Sequence, residues 1–349
     1  MRLNRSLNQL NYIKSPNNLR WNQRFYIKLT EQVHPFNELD RFRPLNRAYD
    51  GNTTFWSTPS PEPNLSSIFW QDVERDIKSG CKAGSKIYIA AQNLASSILK
   101  WQPNPEKILF VSILRAGVPI TEWLCQMLPG SFGAALSLFV GIGIDKRALD
   151  EIKRDFPDRT IIFVDGWTGK GGVAREIAKL KSGPLAVLID PWGWADFAGI
   201  REDIFCPSAC FTGLATLGFS RTFFVDDDNL FSAYRFSGEF AQPDIVDIWK
   251  SSSPLSLLNS DTVQSLDQKI DRFQTDTNFR IHSNEVCRAL INAAPEILLF
   301  ADSEDYARTN FSLLLNLARQ RNIQTVFNIK QLNKLKTRAA CKLSTAQSS

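Results

Sequence analysis

Through the middle of the chain, short runs that are apolar on both faces alternate with amphipathic stretches. Lys107–Ile113, Ala134–Val140, Ile161–Val164 and Leu185–Ile189 are of the first kind, and such runs suit the central strands of a parallel sheet. Lys146–Asp155 is a charged stretch that stops before Pro157, and Ala174–Leu180 carries a helical pattern; both predict helices. Upstream, Ser66 or Ser67 is placed to cap a helix with Ile68, Phe69, Val73 and Ile77 on its buried side, and Ile87–Leu99 predicts a second. Strands alternating with helices at this spacing give a doubly wound parallel sheet, with the strand ends at Ser112 and Asp165 facing one crevice.

A different pattern begins near residue 278. Asn284–Ala294 predicts a helix, Ile297–Ala301 a strand, Asp305–Gln320 a helix with Phe311, Leu314, Leu315 and Leu317 on its apolar side, and Thr325–Ile329 a strand. The expected organisation is therefore an irregular arm and cap over 1–64, a main α/β domain over 65–250, a polar linker over 251–277, a small α/β/α domain over 278–343 and a tail over 344–349. A further helix is possible within the linker, from Asp261 to Phe273. Thr58-Pro59-Ser60-Pro61-Glu62-Pro63 has to be extended or turn, which makes its segment a cap or lid.

With 349 residues, 43% hydrophobic and 22% charged, the chain has the composition of an ordinary globular protein. Its net charge of +5 is too mild by itself to argue for a polyanionic partner. No apolar run reaches spanning length and none forms a signal-peptide core, so a cytoplasmic location without membrane contact is expected. The six cysteines are scattered, as reduced thiols would be, and Cys206 and Cys210 lack the second pair and histidines that a metal site would want.

Chemistry concentrates in two turns. Val164-Asp165-Gly166-Trp167-Thr168-Gly169-Lys170-Gly171-Gly172 runs from a strand into a helix; backbone N–H groups freed by glycines, ahead of a helix dipole, can cradle a phosphate. It is neither a Walker A sequence nor a GxGxxG fingerprint. The second turn, Leu114-Arg115-Ala116-Gly117, leads into a helix with Pro119 in its first turn. If the two face each other, one would hold a sugar phosphate and the other a departing pyrophosphate. Asp165 would lie on ribose hydroxyls between them, and no nucleophilic side chain is required.

Val111-Ser112-Ile113-Leu114-Arg115-Ala116-Gly117 resembles the pyrophosphate loop of type I phosphoribosyltransferases. The Val164–Gly171 stretch, with Gly143-Ile144-Asp145, Ala186–Pro191, Arg201-Glu202-Asp203 and Ser220-Arg221-Thr222, resembles the StiP family more closely. That family carries the name cysteine protease StiP. Its N-terminal domain is described as phosphoribosyltransferase-like and is joined to a C-terminal PELOTA RNA-binding domain. The resemblance implies an α/β fold: a type I phosphoribosyltransferase-like parallel sheet with helices on both faces, plus a small C-terminal α/β/α domain. It implies binding of phosphoribosyl diphosphate (PRPP) or a nucleotide, with Mg²⁺ accompanying PRPP and no metal held directly by side chains. Ser112, Arg115, Ala116 and Gly117 would then bind pyrophosphate, and Asp165, Thr168, Gly169, Lys170, Gly171 and Gly172 the ribose phosphate, with Arg115, Asp165 and Lys170 catalytic. Asp190, Arg201 and Arg221 would lie on the base side, and Arg280, Lys336 and Arg338 would meet RNA.

The chain also departs from these patterns. It has Asp165-Gly166 where most type I enzymes have two acids, Val140 and Ile142 where the family commonly has arginines, and Arg280-Ile281-His282-Ser283-Asn284 in place of a Lys- and Gly-rich segment. Fewer cations would weaken charge stabilisation, so a binding module without turnover is the alternative to an enzyme. A thiol protease, the third reading, would need a Cys and a His in contact. Cys81 with His34 is the pairing to test.

Overall fold

The computed structural model describes residues 20–43, 57–225, 230–238, 244–254, 257, 278–293 and 295–343. The helix considered over 261–273 lies outside the described residues. In chain order the first elements are β1 (Arg24–Phe25), β2 (Lys28–Val33), α1 (Ser67–Gly80), α2 (Lys86–Trp101), β3 (Ile108–Ile113), α3 (Gly117–Met127) and β4 (Phe132–Leu136). A short hairpin of β5 (Leu138–Phe139) and β6 (Gly143–Ile144) precedes α4 (Lys146–Asp155), β7 (Thr160–Trp167), α5 (Gly172–Leu180), β8 (Leu185–Ile189) and β9 (Phe197–Ile200). Then come α6 (Gly213–Thr216), β10 (Phe223–Val225), β11 (Leu230–Phe236) and α7 (Ile245–Ser251).

The main sheet has six strands in the order β1-β4-β3-β7-β8-β9, every neighbouring pair parallel. Its central strands are buried along their whole length in β3 and β8, which is why the sequence there shows no polar alternation. Period-two geometry still sorts the side chains. Ile108, Phe110, Ile162 and Val164 face α2 and α3 through Leu94, Val118 and Trp123, whereas Leu109, Val111, Ile161 and Phe163 face α4 and α5 through Leu149, Ile152 and Ile177. Helices thus cover both faces.

The helix starts follow local chemistry. Ser66 caps α1 by accepting from Phe69 N–H at 3.2 Å, and Asp145 caps α4 by accepting from Ala148 N–H at 3.0 Å. Ile68, expected on the buried side of α1, is 63% exposed; Phe69, Val73 and Ile77 carry that face. The segment expected to be an irregular arm is partly strand: β1 extends the main sheet beside β4, and β2 pairs with β11 in a three-stranded sheet, β10-β11-β2.

The C-terminal unit contains β12 (Phe279–Ile281), α8 (Ser283–Asn292), β13 (Pro295–Phe300), α9 (Glu304–Asn310), α10 (Ser312–Gln320), β14 (Gln324–Val326), α11 (Gln331–Lys334) and β15 (Ala339–Leu343). Its sheet order is β12-β15-β13-β14. The single helix expected over 305–320 is two, broken at Phe311, whose backbone (φ −135°, ψ 33°) leaves the helical region while its ring packs on Phe300. The apolar side of α8, through Val286, Cys287 and Leu290, joins the core that contains Cys206 and Cys210 of the main unit. This contact brings α8 to the sheet crest. No described helix is long and apolar enough to cross a membrane.

Candidate functional site

The chain leaves β3 for β4 on one side and returns to β7 on the other, so the strand order reverses between β3 and β7. Open α/β sheets form their ligand crevices at such a switch point, beyond the carboxyl ends of the strands. Both singled-out turns sit there, with Ser112 in register with Val164. They touch: a Cβ at Gly117 would stand 2.1 Å from Val164 O, and one at Gly166 would stand 3.2 Å from Ala116 O. Only a residue without a side chain lets the first turn approach β7 this closely. Ser112, Arg115, Ala116 and Gly117 therefore share one crest with the segment 165–172.

Within that crest the side chains do different things. The Ser112 hydroxyl is fully buried, donating to Gln23 Oε1 at 2.7 Å and pairing with the Thr121 hydroxyl at 2.7 Å, so it faces inward. Asp165 is buried and accepts from Gly166 N–H at 2.7 Å. Desolvation pushes its carboxyl up to about 8, against the opposing effect of that hydrogen bond, and the nearby Glu285 adds to the rise. Thr168 donates to Asp190 Oδ1 at 2.7 Å. Asp190 also accepts from Ala195 N–H and forms an ion pair with Arg201. Asp190 and Arg201, expected on the base side, thus brace the β8–β9 connection through one fully buried carboxylate.

The glycine loop is covered. Gly171 is left-handed (φ +78°) at the N-cap of α5, and a Cβ there would stand 2.3 Å from Trp194 Cδ2. A Cβ at Gly169 would stand 3.0 Å from Glu285 Cγ, and Trp167 donates its indole N–H to Glu285 Oε1 at 2.6 Å. A Cβ on Gly172 would meet Val140, one of the two positions noted for a missing arginine, at 2.9 Å. The Lys170 carbonyl accepts from Arg175, which lies over the Trp194 ring.

Arg115 carries the other half of the crest. Its Nη1 donates to Glu62 Oε1 at 2.7 Å, with the Arg115 side chain 9% exposed and Glu62 fully buried. Glu62 Oε2 in turn accepts from Gly213 N–H at 2.9 Å. Arg115 Nη2 is buried with no hydrogen-bond partner among the described residues. Arg221 belongs with this group and not with Asp190 and Arg201. Burial, then the neighbouring Arg115 and Arg288 guanidinium groups, lower it well below its ordinary value. Glu62, Glu285, Arg288 and Trp194 were not recognisable from sequence. The first lies in a proline-rich stretch, and the others reach the crest only through tertiary packing.

The remaining predicted residues lie elsewhere. Arg280 is half-buried on β12, Lys336 is exposed, and Arg338 donates to Asp302 Oδ1 at 2.9 Å. Cys81 is buried, and burial pushes its thiol well above the ordinary value. Desolvation likewise raises Cys125, Cys206, Cys210 and Cys341. No thiol hydrogen-bonds an imidazole among the described residues; Cys206 Sγ lies 3.2 Å from Ser208 Oγ, and Cys210 Sγ 3.5 Å from Cys287 Sγ.

A family model described as "Tellurite-like stress resistance cysteine protease StiP" matches residues 59–249, a stretch that holds both turns and Glu62 and stops short of α8. A protein of Acinetobacter baylyi named "Cysteine protease StiP" is 34% identical over 116 residues, a match that covers 30% of this chain and 30% of that relative. Since the family match takes in more than half of the 349 residues, the chain belongs to the StiP family.

Proposed function

We propose that the crest binds a phosphorylated ribose, PRPP or a nucleotide, in the manner of a phosphoribosyltransferase. The observation that carries this reading is the meeting of the Arg115-Ala116-Gly117 turn with the Asp165–Gly172 turn at the reversal of strand order. Arg115 would take the diphosphate, and Lys170 with the N–H groups of residues 169–172 the 5-phosphate. Asp165 would meet the ribose hydroxyls. Protonated near neutral pH, it can both donate and accept there. In a transfer reaction a nitrogen of the acceptor base donates its electron pair to the anomeric carbon as the C–O bond there breaks and that bond's electron pair leaves with the diphosphate, so the work falls to charge stabilisation.

Among the described residues no group of three His, Cys, Asp or Glu side chains is placed to hold a metal ion. A Mg²⁺ carried on the diphosphate does fit, since that ion keeps phosphate and water ligands; it would neutralise charge on the leaving group. The cover formed by Glu285 and Trp194 over the glycine loop favours a second reading, a module that binds the same ligand without turnover. The peptidase reading comes from the name given to the family and to the relative. Buried, protonated thiols without imidazole partners argue against it here. RNA contact by Arg280, Lys336 and Arg338 belongs to the same proposal for the C-terminal unit.

Calorimetry with PRPP and Mg²⁺ tests the principal reading. Binding to the wild type, lost on Arg115→Ala and weakened on Asp165→Asn, is expected; no heat with the wild type would end it. Pyrophosphate release on incubation with PRPP and a panel of bases would separate an enzyme from a binding module.

A further inference from the structure

We propose that Arg115, Arg221 and Arg288 form a single site for the phosphate groups of a small di- or oligophosphate. The C-terminal unit would then contribute a ligand-binding residue through α8. This deepens the reading of the crest given above but does not depend on the ligand containing ribose.

The three arginines come from the β3–α3 turn, the segment before β10, and α8. Arg115 and Arg288 line one cavity, with Trp21, Trp167, Ser208 and Phe211. Within it Arg115 Nη2 is buried and unpartnered among the described residues. An unsatisfied buried donor is costly, and one on a charged group more so. Arg288 donates Nη1 only to neutral acceptors, Phe211 O at 2.7 Å and Ala209 O at 3.4 Å. The Arg221 side chain makes no hydrogen bond or ion pair with the described residues, although it lies within the electrostatic reach of Arg115, Arg288 and Glu62.

The charge balance points the same way. Among the described residues three guanidinium groups, Arg115, Arg221 and Arg288, act on one another and on two carboxylates, Glu62 and Glu285, while burial keeps Asp165 protonated near neutrality. Glu62 accepts from Arg115 and from Gly213 N–H, and Glu285 accepts from the Trp167 indole through Oε1. Burial, with Arg115 close by, brings Arg288 down to about 10, the effect of cations gathered without enough counter-charge. A phosphate group supplies the missing charge and several acceptors, and guanidinium forks match its geometry.

The cavity is small, ≈ 10 Å³, about the room of one water. Admission of a phosphate therefore requires the Arg115 or Arg288 side chain to swing aside and close on it. The enclosure between Trp21, Trp167 and Phe211 favours a small ligand over a polymer.

Titration of the full-length chain with inorganic pyrophosphate tests this by calorimetry, with sulfate as the competing anion. Because Arg288 supports two carbonyls, the variants are Arg288→Lys, which keeps a donor, and Arg221→Gln; Arg154→Ala, exposed on α4 and paired with Glu151, is the control. Circular dichroism and the melting midpoint verify folding. The expected result is pyrophosphate binding preferred over sulfate and weakened by high salt, with a loss of about tenfold or more in Arg221→Gln and in Arg288→Lys and no change in Arg154→Ala. Equal affinity for sulfate, no binding, or wild-type affinity in both arginine variants overturns the proposal, as does displacement of pyrophosphate by an RNA oligomer at equal phosphate concentration. A PRPP arm keeps the two readings apart. PRPP binding that needs Arg115 and Asp165 but not Arg221 or Arg288 refutes this proposal alone. Pyrophosphate binding that needs these arginines, with no binding of PRPP, refutes the ribose reading alone.

Discussion

Replacing Glu62 by alanine would leave the Arg115 guanidinium buried without its carboxylate, beside Arg221 and Arg288, and would also strip Gly213 N–H of its acceptor. Removing one partner of a buried ion pair costs about 3–5 kcal/mol, because the other charge cannot regain its hydration. The orphaned amide adds on the order of 1 kcal/mol. For an α/β unit of this size each kcal/mol moves the melting midpoint by about 2–4 °C, so Glu62→Ala should melt about 8–24 °C lower. Arg115→Met removes the cation and keeps the apolar stem, and it should restore much of the loss when combined with Glu62→Ala. The assay is thermal unfolding followed by tryptophan fluorescence for the wild type, both single variants and the double variant. Strictly additive effects, or a shift of less than about 2 °C in Glu62→Ala, would refute the claim that the pair is buried and coupled.

Three further outcomes follow from the geometry. Gly171→Ala places a Cβ 2.3 Å from Trp194 at a left-handed position and should cost about 1–3 kcal/mol in a urea titration, visible as a lower midpoint; an unchanged midpoint would mean that Trp194 does not cover the loop. Because burial raises Asp165 from 3.8 to about 8, the folded state keeps a proton that the unfolded chain releases. Its contribution is full below pH 4 and is lost as pH rises toward about 8, at roughly 1.4 kcal/mol per pH unit. Asp165→Asn should therefore flatten the pH dependence of unfolding and be the more stable protein at pH 8 and above, whereas an unaltered profile would place the carboxyl in water. Finally, Cys81, Cys206, Cys210 and Cys341 should resist a thiol reagent at pH 7 until the protein unfolds, and rapid labelling of Cys81 in the native state would revive the peptidase reading.

Much of the crest was legible because β7 and β3 carry all-apolar runs, Ile161–Val164 and Ile108–Val111, that give way to the polar residues Asp165 and Ser112 near the strand ends. Such runs report burial on both faces, and a strand-to-helix turn rich in glycine reports its own geometry. The side chains that finish the site gave no such signal. Glu62 comes from a proline-bound extended segment, and Glu285 and Arg288 sit on the polar positions of a helix more than a hundred residues from either turn. Their place depends on α8 packing at Cys206 and Cys210. Arg221 was noticed from the family pattern, yet its neighbours could only come from coordinates. Two further strands, β1 and β15, gave no signal for a related reason. The two-residue β1 is too short to show a period, and β15 begins with Ala339 and Ala340, residues that favour no strand by themselves.

The central claim is that two distant turns grip one phosphorylated ligand at the reversal of strand order. A crystal structure of the protein grown with PRPP and Mg²⁺ examines it most directly. The expected density places the diphosphate within hydrogen-bonding distance of the Arg115 guanidinium, the ribose beside Asp165 and the 5-phosphate on the N–H groups of residues 169–172. Saturating PRPP with the ligand bound elsewhere, and Glu285 and Trp194 still packed on the glycine loop, would contradict it.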